Sequence, residues 1–322
     1  MTKQQRIVFM GTPDFASYIL DQLVLDQYNI VGVITTPDRP AGRGYKLQES
    51  AVKKVALKHQ LPILQPEKLK NEDFLSSLKA LNADIFVVIA FRMLPKVVWN
   101  MPQHGTFNLH ASLLPQYRGA APIHWAVING ETETGVTTFF IDEKIDTGEV
   151  ISNKTCAISQ TDTVGSLHDK LMYIGVDLVK ETLDSIELGE IKTQSQASII
   201  EKYNLELKEA HKIFKPDCHI NFNNPVIDVY NHIRGLNPFP GAWATLTSEG
   251  EKDKQLKLFN CSYIKATPKQ TAGTFYIEDK IVKIACLDGE IHLNTLQLEG
   301  KKRMNADDFQ RGFNFDKMYS LK

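Results

Sequence analysis

Cysteine is scarce in this sequence, and none of it is paired. Cys156, Cys218, Cys261 and Cys286 stand far apart with no C-x-x-C spacing. That argues against a structural zinc site or a redox dithiol and leaves them as small core residues. A surplus of one charge is also missing, because 37 Lys and Arg face 38 Asp and Glu for a net charge of −1. The chain therefore lacks the strong positive field of a dedicated nucleic-acid coat, and any RNA contact must come from a local patch. Residues 206–322 alone hold 17 basic and 15 acidic side chains, so charge balance does not mark them as a basic domain. Long apolar runs are absent too. The longest, such as Ile85 to Phe91, fall far short of the ~20 residues needed to cross a bilayer. The opening Met1-Thr2-Lys3-Gln4-Gln5-Arg6 passes directly into a strand pattern at Arg6 to Met10, without the basic and then apolar order of a secretion signal. A cytoplasmic chain with no membrane segment is expected. Finally, Met10-Gly11-Thr12-Pro13-Asp14 holds one glycine in place of a G-x-G-x-x-G turn. This disfavours a dinucleotide-dependent oxidoreductase.

What is present reads as two domains, in keeping with 322 residues. Short apolar runs at Ile7 to Met10, Ile30 to Thr35, Asp84 to Ala90 and Thr106 to His110 alternate with helical spacings such as Phe15-Ile19-Leu20-Leu23 and Val52-Val55-Ala56. That alternation predicts a mostly parallel sheet with crossover helices. Asp162 or Thr163 can cap a long helix with Leu167, Leu171, Ile174, Leu178 and Leu183 at helical spacing. From Leu188 to Lys208 the sequence turns polar and loses its period, which places a linker at 190–207 between a first domain, 1–189, and a second, 208–322. In the second, a helical stretch at Val226 to Ile233 precedes five alternating runs: Ala242 to Thr247, Leu256 to Tyr263, Gly273 to Ile277, Ile281 to Cys286 and Ile291 to Leu298. Five short strands with turns between them suit a small barrel or sandwich.

The densest unusual stretch runs from Phe107 to Pro122. If Thr106 to His110 is a strand, its period of two sends Phe107 and Leu109 to the core and sets Asn108 and His110 on the opposite face. In open α/β sheets the C-terminal ends of the strands are where ligands bind. A second strand, Thr137 to Ile141, leads into Asp142-Glu143-Lys144-Ile145-Asp146-Thr147-Gly148, so Asp146 is expected beyond a strand end as well. An Asn, a His and an Asp converging there could perform acyl transfer without a Ser or Cys nucleophile. The amide can hold an oxyanion, the imidazole can donate to it, and the carboxylate favours the charged imidazole. Asp-Thr-Gly also occurs in aspartic proteases, but their mechanism needs two such carboxylates and only one such tripeptide is present.

These residues also carry a resemblance. The run Asn108-x-His110-x-Ser112-Leu113-Leu114-Pro115-x-Tyr117-Arg118-Gly119-Ala120-Ala121-Pro122, with Trp125, Asn129-Gly130-Glu131-Thr132, Thr134-Gly135-Val136-Thr137 and Asp146-Thr147-Gly148, resembles the folate-dependent formyltransferases. Phe9 to Ala16, Pro37 to Gly44 and Asn237 to Trp243 extend the likeness over essentially the whole chain, toward the branch that acts on charged initiator tRNA. The resemblance implies an α/β fold with a Rossmann-like N-terminal domain and an OB-like C-terminal β-barrel. It implies transfer of a formyl group from 10-formyltetrahydrofolate to the amino group of initiator methionyl-tRNA, by a monomer and without a metal. It places Asn108, His110 and Asp146 on the catalytic trio, Ser112, Leu113, Leu114 and Pro115 on the folate-binding segment, and Arg39, Arg43 and Lys46 on the loop that meets tRNA. The same trio would serve a formyltransferase of small amines, such as a nucleotide sugar or glycinamide ribonucleotide; the Arg43 loop and the second domain favour tRNA. Departures from the family pattern are Phe91-Arg92 in place of Tyr-Gly, His124 in place of Gln and Lys144 in place of Gly.

Overall fold

A computed structural model describes residues 4–41 and 46–322 of the chain. They divide into two compact units: one of Met1–Gly119, Thr134–Cys156 and His168–Glu209, the other of Ala120–Glu133, Ala157–Leu167 and Ala210–Lys322.

The first unit is built on a seven-stranded sheet. The all-apolar strand Ile7–Gly11 lies between Ile30–Ile34 and Ile85–Ile89 and pairs in parallel with both. Such a run, buried along its whole length, is what a sheet covered on both faces demands. Ile63–Leu64 adds in parallel at one edge, and Thr106–His110 adds in parallel beside Ile85–Ile89. On one face Val8, Met10, Phe86 and Val88 pack with Phe74 and Leu78 of the helix Glu72–Ala80. On the other, Leu109 meets the helix Val164–Glu187 so closely that a Cβ at Gly175 would lie 2.9 Å from its Cδ2. Thr163 starts that helix as expected, accepting the Ser166 N–H at 3.2 Å. Leu167, Leu171, Leu178 and Leu183 are buried along it.

Antiparallel pairing changes the picture at the other edge. Glu133–Phe140 runs opposite to Thr106–His110, with Phe140 beside Phe107 and Thr137 beside His110. Its C-terminal end therefore lies at the start of the 106–110 strand, and the loop that carries Asp146 begins there. The 141–148 loop closes on itself, with the Phe140 N–H donating to the Glu149 carbonyl at 3.0 Å. Gly148 is required there, since any Cβ would collide with the Phe140 carbonyl.

The polar segment read as a linker contains a helix, Gln196–Tyr203, capped by Ser195. A Ser that caps and a Gln that starts the helix look like loop chemistry in sequence. Burial of Gln196 decided otherwise.

The second unit takes segments 120–133 and 157–167, which the sequence reading left in the first domain. The helix Pro122–Ile128 fits against Val226–Gly235 where glycine permits it, because a Cβ at Gly235 would lie 2.5 Å from Ile128 Cγ1. Buried Arg234 gathers the 157–167 segment, donating to the Asp162 carbonyl at 2.8 Å. The helix Val226–Gly235 packs on a curled nine-stranded sheet of antiparallel pairs around a single apolar cluster. The five expected strands become nine partly because two runs bend. The run from Leu256 breaks at Phe259-Asn260 and the run from Ile291 at Asn294; the Asn260 carbonyl accepts the N–H groups of Asn294 at 2.9 Å and Thr295 at 3.0 Å. Two asparagines thus make one corner. No helix among the described residues is long and apolar enough to cross a membrane.

Candidate active site

The strand Thr106–His110 sorts its side chains by period. Phe107 and Leu109 are buried on the helix-covered face, and Asn108 and His110 share the other. A one-residue slip would exchange the two sets, so core packing fixes where the polar pair points. Among the described residues, the half-buried Asn108 amide makes no hydrogen bond to the protein. It is available to a ligand.

His110 is only 6% exposed, and its ring is oriented from both sides. Nε2 lies 2.8 Å from the Tyr117 carbonyl, which can only accept, so this nitrogen carries a proton. Nδ1 faces Asp146 Oδ2 at 3.7 Å. That is too long for a direct hydrogen bond, and it leaves Nδ1 as the nitrogen able to exchange a proton with a third group. A donor role for His110 therefore belongs to Nδ1.

Asp146 reaches this position because its loop doubles back over the face bearing Asn108 and His110. Its Oδ2 accepts the Gly119 N–H at 2.9 Å. At the loop's base the Asp142 carboxylate accepts from the Lys144 N–H at 2.9 Å and from Thr147 Oγ1 at 2.8 Å. Tyr117, with φ of 59°, and Asp146, with φ of 55°, both occupy the left-handed region. Asp tolerates that conformation through its short polar side chain, whereas Tyr there is uncommon. Such strain tends to persist where surrounding contacts over-determine the backbone, as they do here.

Gln196 supplies much of that determination, and the sequence reading missed it. It is 2% exposed. Its Nε2 donates to the carbonyls of Asp146 at 3.0 Å and Gly148 at 2.8 Å, and its Oε1 accepts from Arg118 Nε at 2.9 Å and Nη2 at 2.6 Å. One amide thereby ties the Asp146 loop to the 117–119 segment whose backbone holds both His110 and Asp146. Burial lowers the Arg118 guanidinium from its ordinary value, against the opposing pull of Asp146 and Asp142. No short-range signal could have found this, since Gln196 lies 78 residues from Arg118 and 50 from Asp146.

The Ser112-Leu113-Leu114-Pro115 segment adjoins the trio but faces largely inward. Ser112, Leu114 and Pro115 are buried, and only Leu113 is half-exposed. Ser112 Oγ donates to the Gln116 carbonyl at 2.6 Å, while buried Thr137 donates to the Ser112 carbonyl at 2.7 Å and accepts the Leu114 N–H at 3.1 Å. The Ser112 hydroxyl is thus already engaged, and the segment serves as a rigid turn. Beyond the end of Ile85–Ile89, Phe91 is partly buried against an apolar cluster. Lys96 bonds Glu143 at 2.7 Å, holding that carboxyl below the usual range. A cleft of about 650 Å³ borders the Asp142 to Glu149 loop and the Gln196 helix, but neither Asn108 nor His110 lines it. Hydrogen bonding, and not cleft volume, marks where chemistry can occur.

Of the basic residues read as an RNA loop, Arg39 is exposed on a hairpin in which Arg39–Ala41 pairs with Lys46–Gln48; Arg43 lies outside the described residues. On the helix Ala51–Lys58, which carries Lys53, Lys54 and Lys58, Lys53 pairs with Asp38 and Glu49, and Lys58 with Asp21. Two of the three helix lysines are therefore neutralised locally. Among the described residues no cluster of three or more His, Cys, Asp or Glu side chains could hold a metal ion.

Known proteins match the chain along most of its length. Residues 5–183 match the formyl transferase family and residues 212–314 match the formyl transferase C-terminal domain. A methionyl-tRNA formyltransferase from Bacteroides fragilis is 52% identical over 318 residues, covering 98% of each chain. One from Parabacteroides distasonis is 54% identical over 310 residues, covering 96% of this chain and 95% of the relative. Among solved structures, HypX from Aquifex aeolicus in complex with tetrahydrofolic acid matches with a TM-score of 0.64 at 17% identity, over 98% of this chain and 51% of that one. Full-length identity above half, with both domains matched in order, leads to one conclusion: the chain belongs to the methionyl-tRNA formyltransferase family.

Proposed function

We propose that the chain transfers the formyl group of 10-formyltetrahydrofolate to the α-amino group of methionine on initiator tRNA, with Asn108, His110 and Asp146 acting on the reacting atoms. The observation that carries these roles is the His110 ring. Its Nε2 is tied to the Tyr117 carbonyl and its Nδ1 faces Asp146, beside an Asn108 amide with no partner among the described residues.

The residues present fit the folate donor. The crevice beyond the C-terminal ends of the Ile85–Ile89 and Thr106–His110 strands is where an open α/β sheet binds ligands. Phe91 offers a partly buried apolar wall there, next to the rigid turn of Ser112, Leu113, Leu114 and Pro115. When bound, 10-formyltetrahydrofolate supplies the formyl carbon. A free α-amino group has a pKa of about 7.7–8.0, so a useful neutral fraction exists near pH 7 and no strong base is needed. As the new C–N bond forms, negative charge grows on the formyl oxygen, and the Asn108 amide and a proton on His110 Nδ1 donate to it. Losing one such donor typically costs about 2.7–4 kcal/mol. The Asp146 carboxylate, held by the Gly119 N–H, takes the proton that leaves the attacking nitrogen. His110 Nδ1 delivers one to the departing nitrogen as its bond to the formyl carbon breaks. Protons balance without a further reactant.

We assign Arg39, Arg43 and Lys46 to the tRNA acceptor end, and the bent antiparallel strands of the second unit support an OB-like barrel. One chain carries the whole trio, so a monomer in the cytoplasm suffices. Incubating the protein with charged initiator tRNA and 10-formyltetrahydrofolate, then weighing the released methionine, tests the reaction. The expected gain is the mass of one CO. Formylation of a nucleotide sugar or glycinamide ribonucleotide, with none on tRNA, would replace this reading by that of a small-amine enzyme. Asp146→Ala retaining full turnover across pH would remove the role given to that carboxylate.

A further inference from the structure

The second unit contains a cavity of about 420 Å³ that has no part in the chemistry above. That is within the usual size range of ligand pockets. Three segments distant in sequence build it, around 120–124, 212–218 and 239–257, and beside the first of them the Ala121 N–H donates to the Ala210 carbonyl at 3.1 Å. Trp243 Nε1 donates to the Lys215 carbonyl at 3.1 Å, Lys257 Nζ to the Pro240 carbonyl at 3.0 Å, and Cys218 Sγ to the Phe214 carbonyl at 3.3 Å. The cavity is therefore preformed.

Its lining is unusual in two respects. Lys212, Lys215 and Lys257 line it together with His124, and no Asp or Glu does, in a chain whose net charge is −1. Asp217, in the same stretch, instead accepts the Phe214 N–H at 2.7 Å. Two aromatic rings of the lining are open to water, Phe214 58% and Phe239 78% exposed. The cations stand close to the rings, Lys212 Nζ 5.7 Å from the Phe214 centroid and Lys215 Nζ 5.5 Å from that of Trp243.

From this juxtaposition we propose that the cavity binds an unpaired ribonucleotide of the RNA substrate, its base stacked on Phe239 and Phe214 and its phosphates held by Lys212 and Lys215. Aromatic faces accept any base, and lysines supply point charges to the backbone, which is how single strands are bound without sequence readout. In a duplex the base faces are already stacked, so the open rings select an unpaired nucleotide. An acidic peptide would satisfy the lysines and leave the rings wet. The inference rests on the tRNA-acceptor reading above and adds a contact to it.

The test uses the full-length protein with a short oligoadenylate, a blunt RNA hairpin and polyglutamate as probes in fluorescence anisotropy. Oligoadenylate should bind best. Phe239→Ala should weaken it about 5- to 150-fold, the range for losing one base–aromatic stack. Replacing Lys212 and Lys215 by Ala should lower the slope of log affinity against log salt by about 1.4, or about 0.7 per lost phosphate contact. In the formylation assay Phe239→Ala should raise KM for tRNA and leave kcat unchanged. These side chains are exposed, and an unchanged Tm confirms that the fold is intact. Equal oligoadenylate affinity in wild type and Phe239→Ala, or stronger binding of the hairpin or polyglutamate than of oligoadenylate, overturns the assignment. If the wild type fails to formylate charged tRNA, the acceptor reading itself falls. If it formylates and Phe239→Ala changes neither affinity nor KM, only the cavity's role falls.

Discussion

Gln196→Leu offers a direct test of how the Asp146 loop is held. The substitution nearly preserves volume but deletes four hydrogen bonds at a position 2% exposed to water. The carbonyls of Asp146 and Gly148 lose their donor. Each buried group left unpaired costs about 1–3 kcal/mol, whereas half-exposed Arg118 can turn to water. A total loss of about 2–6 kcal/mol follows, and for a domain of roughly 150–250 residues each kcal/mol lowers Tm by about 2–4 °C. Catalysis should suffer separately. Freed from Gln196, the loop no longer sets Asp146 against His110, and a 1 Å misplacement can cost about 100-fold in rate. Gln196→Glu separates the two effects. It keeps an acceptor for Arg118 but turns carboxylate oxygens toward two carbonyls, so the loop is released while the Arg118 contact survives. Single-turnover formylation at saturating tRNA and folate should show both variants slowed by about 10- to 100-fold, with KM for tRNA little changed. If both lose stability as expected yet keep the wild-type rate, the loop does not depend on Gln196 for its working geometry and the reasoning fails.

Other consequences are simpler to read. Asn108→Ala should reduce kcat by about 100- to 1,000-fold, as for an oxyanion donor, with Tm unchanged because the amide bonds nothing among the described residues; a large Tm loss would recast Asn108 as structural. Gly148→Ala should destabilise the fold and slow turnover together, since the added Cβ meets the Phe140 carbonyl, and normal kinetics in a stable variant would contradict that packing. In the second unit, burial works to raise the Glu290 carboxyl, but bonds from Tyr276, His292 and Lys283 outweigh it and hold it at about 2. The folded value lies below the unfolded one, so this stabilisation is complete above the ordinary carboxylate range and is lost as pH falls toward about 2. Lys283→Met should shrink it, flattening the fall of Tm over that acidic window. An unchanged Tm-against-pH curve would show that Lys283 does not hold the carboxyl down.

Local pattern determined a good deal of this protein. Alternation in Thr106–His110 placed Phe107 and Leu109 in the core and Asn108 and His110 opposite, because a strand's period of two follows from backbone geometry alone. The leucines of Val164–Glu187 and its Thr163 cap were legible for the same reason, being near-neighbour relations along one helix. The motif around the trio carried the family, since its residue types recur together at fixed spacing. Tertiary structure decided what depends on pairing between distant segments. Antiparallel addition of Glu133–Phe140 sent the Asp146 loop back over the site, and burial turned Gln196 from a polar loop residue into the clasp of that loop. The corner made by Asn260 and Asn294 in the second unit, and the meeting of Phe214, Phe239 and three lysines in one cavity, likewise arise only once the strands are paired. Propensity and periodicity describe each segment by itself, whereas hydrogen bonds between segments far apart in sequence depend on the whole chain being folded.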